Sequence, residues 1–373
     1  MTLVYFAPVV WDDYPQRPHY FVRHFLRYAR GEGTVVWIDP YPSRLPAIRD
    51  LERLTREPSP RLPPERRPEG LTVISLRALP IDPLPVGRWL NREVLWKVLS
   101  GRLQAIIGGD RVAIGVGRPS GLALAALRAL GPAASVYDAM DDFPEFYRGI
   151  SKRSVSITER AVAETVGLVL TSSSRLWDKF EWRGPCRIMV RNAFEMSDLP
   201  PPTLEKDGRR VFGYVGCIGA WFDWGVVVDL AASFPDAAVH IVGPCFARPP
   251  RRLPPNVRLF PVCGAERAID HFQTFSVGLI PFKRTRLTDG VDPIKYYGYR
   301  AMGLPVLSTR FGDMGRRGPA DGAFLVDDDR PLSRVAAAAL EAPADTASIE
   351  HFRRDHAWER RFDEARIFER VLS

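Results

Sequence analysis

Four acidic side chains, Asp138, Asp141, Asp142 and Glu145, fall together in SVYDAMDDFPEF (135–146), and the next basic residue is Arg148. Crowded carboxylates repel one another, so at least one pKa should climb toward the range of a general base. Asp138 and Glu145 suit capping and surface roles. Asp141 is then the first catalytic candidate and Asp142 the second. A lysine poses a separate question in RLTDGVDPIKYYGYRAMGLPVLST (286–309). Asp292 reads as an N-cap, Pro293 as the first helical residue, and Gly303 with Pro305 as the stop. Lys295 then occupies the first helical turn, where the positive end of the helix dipole disfavours a cation. Either Asp289 and Asp292 neutralise it, or an anion docks on the helix start beside it.

Two further segments carry candidate residues. In YVGCIGAWFDW (214–224) a strand runs into a turn holding Gly216 and Gly219, and Asp223 caps the helix that follows. Glycines in such a turn let backbone approach a phosphate closely. In QRPHYFVRHFLRYAR (16–30), Phe21, Phe25 and Leu26 form an apolar stripe. Arg17 and His19 stand at that helix start, on the side where a ligand cleft would open. Two patterns compete with these. GVGRPSG (115–121) follows a strand and precedes a helix, and it resembles a dinucleotide fingerprint with shifted glycines. It supports the main alternative, an NAD(P)-dependent oxidoreductase. Asp327-Asp328-Asp329 mimics a metal pattern but reads as a polar turn.

The elements that must position these residues alternate regularly. Strand-like runs occur at 3–6, 34–38, 71–76, 112–117, 135–138 and 166–170. After a proline-rich, charged break they restart at 211–216, 238–243, 257–260, 277–282, 305–309 and 323–326. Strand–helix alternation predicts parallel sheets flanked by helices, here as two doubly wound α/β domains facing a cleft. The expected organisation is an N-terminal domain over 1–197, a linker over 198–208, a second domain over 209–350 and a C-terminal helical segment over 351–373.

Composition narrows the class. Net charge is +8 over 373 residues. Residues 1–195 hold 28 Lys and Arg against 21 Asp and Glu, while the remainder is nearly balanced at 24 against 23. A basic first half suits an anionic partner. Cys186, Cys217, Cys245 and Cys263 are widely spaced, without a Cys-x-x-Cys pair, which favours free thiols over disulfides or a zinc site. No apolar run is long enough to span a bilayer, and the N-terminus reads as a first strand rather than a signal peptide. An Arg-rich nucleic-acid binder is a weaker alternative, since no recognisable binding motif supports it.

In their order, QRPHYFVRHF, VYDAMDDF, MVRNAF, YVGCIGAWFDW and DPIKYYGYRAMGLPV resemble the GT-B glycosyltransferases of bacterial cell-surface polysaccharide assembly. The nearest groups are the teichuronic-acid-type transferases and the glucuronosyltransferase of xanthan assembly. The resemblance implies two Rossmann-like domains, with the C-terminal helix crossing back to the N-terminal domain. It implies acceptor binding by the first domain, with Arg17, His19 and Asn192 on that side. It places nucleotide-sugar binding in the second domain, through Gly216, Ile218, Gly219, Asp292, Pro293, Ile294, Lys295, Tyr296 and Tyr297. Asp141 becomes the base of a metal-independent, inverting transfer from a UDP- or GDP-sugar to a lipid-linked saccharide, with no cofactor and no nucleic-acid partner. Many relatives carry Glu or Gln where this chain has Gly298, which passes ribose recognition to Tyr296 or Tyr297.

A last stretch, VGRWLNREVLWKVLSGRL (86–103), concerns the membrane. Read as a helix, Val86, Leu90, Val94 and Val98 form a core stripe. Trp89, Trp96 and Leu103 lie on another face with Arg88, Arg92 and Arg102. Tryptophan beside arginine is the composition of an interfacial helix. Trp89, Arg92 and Trp96 are therefore the expected contacts with an anionic membrane surface, at the cytoplasmic leaflet.

Overall fold

The computed structural model describes residues 1–41, 67–76, 84–197, 199–202, 208, 210–327 and 329–372, with the side chains at 85, 88, 90 and 92 outside the described set. Most of the expected linker, Asp328 and the side chain of Arg92 lie outside the described residues. The chain forms two compact units. The first comprises 1–172, 176–190 and 362–373; the second comprises 173–175 and 191–361.

In the first unit the order is β1 (Thr2–Phe6), α1 (Arg17–Tyr28), β2 (Thr34–Ile38), β3 (Leu71–Ile74), α2 (Pro85–Ile107), β4 (Val112–Val116), α3 (Gly121–Ala129), β5 (Ala134–Ala139), α4 (Gly149–Thr165), β6 (Leu168–Thr171), α5 (Ser174–Lys179) and β7 (Arg187–Met189). The strands lie in the order β3-β2-β1-β4-β5-β6-β7, every pairing parallel. β1 and β4 are buried along their whole length, as strands covered on both faces must be. The expected strands appear with ends shifted by a residue or two. β7 was not foreseen: it has three half-buried residues and too little apolar pattern to register in the sequence.

The second unit runs β8 (Val211–Val215), α6 (Trp224–Ser233), β9 (Ala238–Val242), β10 (Val257–Phe260), α7 (Ala265–Thr274), β11 (Val277–Ile280), α8 (Arg286–Asp289), α9 (Ile294–Ala301), β12 (Val306–Thr309), β13 (Ala323–Val326), α10 (Leu332–Leu340) and α11 (Thr346–Asp355). Its sheet has the order β10-β9-β8-β11-β12-β13, again all parallel. Both sheets reverse direction beside their first strand, and ligands of such sheets bind beyond the carboxyl ends at that reversal. Two helices, α12 (Trp358–Ala365) and α13 (Ile367–Leu372), close the chain. The tail packs on the first unit through Phe362, against Phe21 and His24, and Phe368, against Phe21, Phe25 and Tyr28.

One reading of α2 is overturned. The stripe that enters the core is Leu95, Leu99, Leu103 and Ile107. Val86, Val94 and Val98, expected inside, are exposed, and Leu103, expected at lipid, is fully buried. Valines at these positions mark a nonpolar outer surface, whereas the larger leucines at four-residue spacing fill the space over the sheet.

Candidate functional site

Each unit holds one chemically distinctive cluster beyond its strand ends. In the first unit, β5 carries Asp138 as its buried penultimate residue, and the chain then passes through Asp141 and Asp142 into a 3-10 turn over Phe143–Phe146. Asp138 is buried against Arg17, whose Nε donates to both carboxylate oxygens at 2.9 and 3.0 Å, with Nη2 2.8 Å away. Arg17 Nη1 donates to the Val190 carbonyl at 2.7 Å. Arg17 thus ties the start of α1 to the ends of β5 and β7. Asp142 is also occupied. Lys179 Nζ lies 2.6 Å from it and 2.5 Å from Glu159, and the other oxygen of Glu159 accepts from Tyr137 at 2.9 Å.

Asp141 is left as the member whose carboxylate has no side-chain partner among the described residues. Its pKa is raised to about 7, chiefly by burial, with Arg17 opposing the rise and Asp138 and Asp142 adding to it. A carboxyl poised there exchanges protons readily near neutrality. His19 is differently employed. Its Nδ1 accepts the Gln16 amide at 3.1 Å, so Nε2 carries the proton and faces the Trp11 carbonyl at 3.1 Å. The ring packs against Trp11 and Trp37, and it closes a capping box at the head of α1. Both ring nitrogens therefore serve the fold.

The glycines of 115–121 have a packing explanation. A side chain at Gly115 or Gly117 would overlap Tyr5, which is fully buried. Ser120 caps α3 by accepting the Ala123 amide. Nothing in this turn supports the dinucleotide reading.

In the second unit, Pro293 and not Asp292 is the N-cap residue of α9, which begins at Ile294. Asp292 is drawn away from the helix end by stronger partners. Arg317 Nη2 donates to one oxygen at 2.6 Å, and the Tyr297 hydroxyl and the Asn192 amide donate to the other at 2.8 and 3.0 Å. A charge-assisted contact to guanidinium outweighs a cap. Asn192 Nδ2 also donates to the Asp292 carbonyl at 2.6 Å. Asn192, expected on the acceptor side, thus braces the head of α9. Tyr296 donates to the Asp321 carbonyl at 2.8 Å, so both tyrosine hydroxyls considered for ribose recognition already hold internal partners. Arg317 was not legible in the sequence, since it stands 25 positions along the chain from Asp292.

Neither Asp289 nor Asp292 pairs with Lys295. Its ammonium sits 5.2 Å from the Tyr214 ring centre, where a side chain at Gly216 would collide with it. Gly216 also has φ of 143°, a conformation L side chains rarely adopt. Burial lowers the Lys295 pKa to about 8, opposed only by Cys217. The Ile294 and Lys295 amides have no acceptor among the described residues, as expected for a helix start. The Gly216–Gly219 turn is pinned by Ile218, whose amide donates to Pro244 at 2.9 Å, and Trp221 covers Gly219. Asp223 caps α6 through the Gly225 amide at 3.0 Å, as expected. A half-buried cation, free amides and a glycine turn at the carboxyl end of β8 make up an arrangement chemically suited to an anion.

No family model matches the chain, and no curated protein matches it in sequence. Its fold, however, is shared with solved glycosyltransferase structures. WaaG, a glycosyltransferase involved in lipopolysaccharide biosynthesis, aligns with a TM-score of 0.63 at 15% identity, over 98% of this chain and 99% of WaaG. An E. coli structure described as trehalose-6-phosphate bound with UDP-2-fluoro glucose aligns at 0.64 and 12% identity, over 100% and 99%. A UDP-forming alpha,alpha-trehalose-phosphate synthase from Burkholderia xenovorans, in complex with glucose-6-phosphate, aligns at 0.58 and 15%, over 100% and 99%. The expected fold, two parallel-sheet α/β units of the GT-B kind, is therefore borne out. The likeness extends over the whole chain, and it singles out neither teichuronic-acid-type nor xanthan-type transferases.

Proposed function

We propose that the protein is a glycosyltransferase that moves a sugar from a nucleoside-diphosphate sugar to a saccharide acceptor. The observation that carries this reading is Lys295. It is a half-buried cation without a carboxylate partner, set among unpartnered amides at a helix start. Such an arrangement suits the diphosphate of a donor, and the UDP-sugar analogue in one fold relative makes UDP-sugars the first choice. As the bond from the anomeric carbon to the phosphate oxygen breaks, its electrons pass to the nucleoside diphosphate. Lys295 and the helix amides offset that charge. Asp141 takes the proton of the acceptor hydroxyl while its oxygen bonds to the anomeric carbon, which inverts configuration. The finer reading is a lipid-linked acceptor in cell-surface glycan assembly, met by a protein held peripherally on the inner leaflet. The basic first half and the absence of a described helix able to cross a membrane support it.

Thermal-shift measurement against UDP-, GDP- and dTDP-sugars, with NAD(P)H as the contrast, tests the proposal. One nucleotide-sugar family should stabilise the wild type, and Lys295→Ala should lose that response. Stabilisation by NAD(P)H alone would reverse the conclusion.

A further inference from the structure

On one side of the first sheet, α2 packs beside α3 and α3 beside α4, with their inner faces sharing one core. The outer faces of α2 and α4 expose large apolar side chains. On α4, Ile150 is 62% exposed and Ile157 55%. With Arg153 and Arg160 they recur at spacings of three and four, one continuous stripe. Phe146, 47% exposed, leads into this stripe, and Trp182 lies beside its end, 5.0 Å beneath the Arg160 guanidinium. On α2, Trp89, Val86, Val94 and Val98 are exposed too.

We propose that the outer face of α4, on the same side of the sheet as that of α2, docks on an anionic lipid bilayer. The proposal rests on the peripheral-membrane part of the reading above and moves its main contact from the Trp89–Trp96 pair to α4. Trp96 is half-buried against the core, which leaves Trp89 alone of that pair facing outward. The choice of occupant follows from charge. Arg148 and Arg153 are exposed, and Arg160 has Glu164 at 2.8 Å as its ion-pair partner. Lys152 is matched by Glu145 at 2.7 Å, while Glu159 points inward to Lys179. The outer face is thus basic as well as apolar. A second copy docked face to face would oppose like charges. Nucleic acid would reward the arginines and leave the isoleucines in water. A bilayer takes both, with isoleucine and phenylalanine at the acyl boundary and arginine among headgroups. The turn bearing Asp141 leads directly into Phe146 and α4, so a surface-held α4 keeps the candidate base near the lipid source of its acceptor.

Flotation of the full chain with phosphatidylcholine vesicles, with and without about one-third phosphatidylglycerol, tests this. The wild type should float with the anionic vesicles only. Ile150→Ser/Ile157→Ser should lower the partition coefficient about tenfold, and Arg153→Glu should weaken it most at low salt. All variants should keep the wild-type thermal response to the nucleotide sugar, because these side chains are solvent-facing. An unchanged partition coefficient in the double variant would overturn the assignment to α4 and leave membrane binding standing. Absence of wild-type flotation would overturn both. A dimer detected by light scattering and lost in the double variant would assign the face to a second copy and sink the proposal. Loss of the nucleotide-sugar response in the wild type would instead count against the transferase reading alone.

Discussion

At the scale of single residues, two shifted side chains bracket neutrality. In the proposed transfer, Asp141, near 7, must be ionised to accept a proton, and Lys295, near 8, must be charged to hold a diphosphate. The pH profile of kcat/KM should therefore be a narrow bell centred between those values. Asp141→Asn should cut turnover about 100-fold or more with donor affinity kept, and Asp142→Asn should do less, because Lys179 already holds Asp142. Wild-type turnover in Asp141→Asn would place the base elsewhere. Both groups also tax stability, with opposite pH windows. Asp141 has a folded pKa above its unfolded one, so its contribution is complete below about pH 4 and lost as pH rises through 7. Lys295 has a folded pKa below its unfolded one, so its contribution is present above about 10.5 and lost as pH falls through 8. Lys295→Met should accordingly stabilise the ligand-free protein at pH 7 by about 3 kcal/mol while abolishing donor binding. Denaturant titration and calorimetric binding on the same variant separate the two effects; a destabilised variant would refute the desolvation account.

At the scale of elements, buried polar ties fix where helices begin. Arg17 joins α1 to β5 and β7, and its removal leaves Asp138 buried without a counter-charge. Arg17→Met should cost about 3–5 kcal/mol. It should also move the acid limb of the pH profile upward, since Arg17 is what lowers the Asp141 pKa. A shift in stability without a shift of that limb would assign Arg17 a structural role only. On the donor side, Gly216→Ala forces a strained φ and displaces the Lys295 ammonium. Donor affinity should fall by about tenfold or more while the sheet remains folded, as calorimetric binding and circular dichroism would show.

At the scale of the whole molecule, the chain ends where it began. Phe362 and Phe368 are buried against α1, so these two side chains of α12 and α13 complete the core of the first unit. Phe368→Ala should destabilise by about 3–5 kcal/mol, read as a lower thermal midpoint. A change below about 1 kcal/mol, the scale of a surface substitution, would mean the tail is dispensable to that core.

Much of this was fixed by local pattern. Continuous apolar runs such as VAIGV and TVVWI can be satisfied only in strands covered on both faces, and their alternation with helices dictated two parallel sheets. The candidates Asp141 and Lys295 were also visible locally, because each conflicts with its own neighbours: carboxylates crowd one, and a helix start repels the other. What remained hidden depended on partners far away in the chain. Whether Asp142 or Asp141 was free depended on Lys179, and whether Asp292 capped α9 depended on Arg317. His19 read as chemistry until Gln16 and Trp11 took both its nitrogens. On α2, two interleaved apolar stripes had similar periodicity, and only the sheet beneath decided that the leucines turn inward. Periodicity states that a helix has an apolar face; packing volume and charge pairing, which exist only once distant segments meet, choose which face is buried and which carboxylate remains free to react.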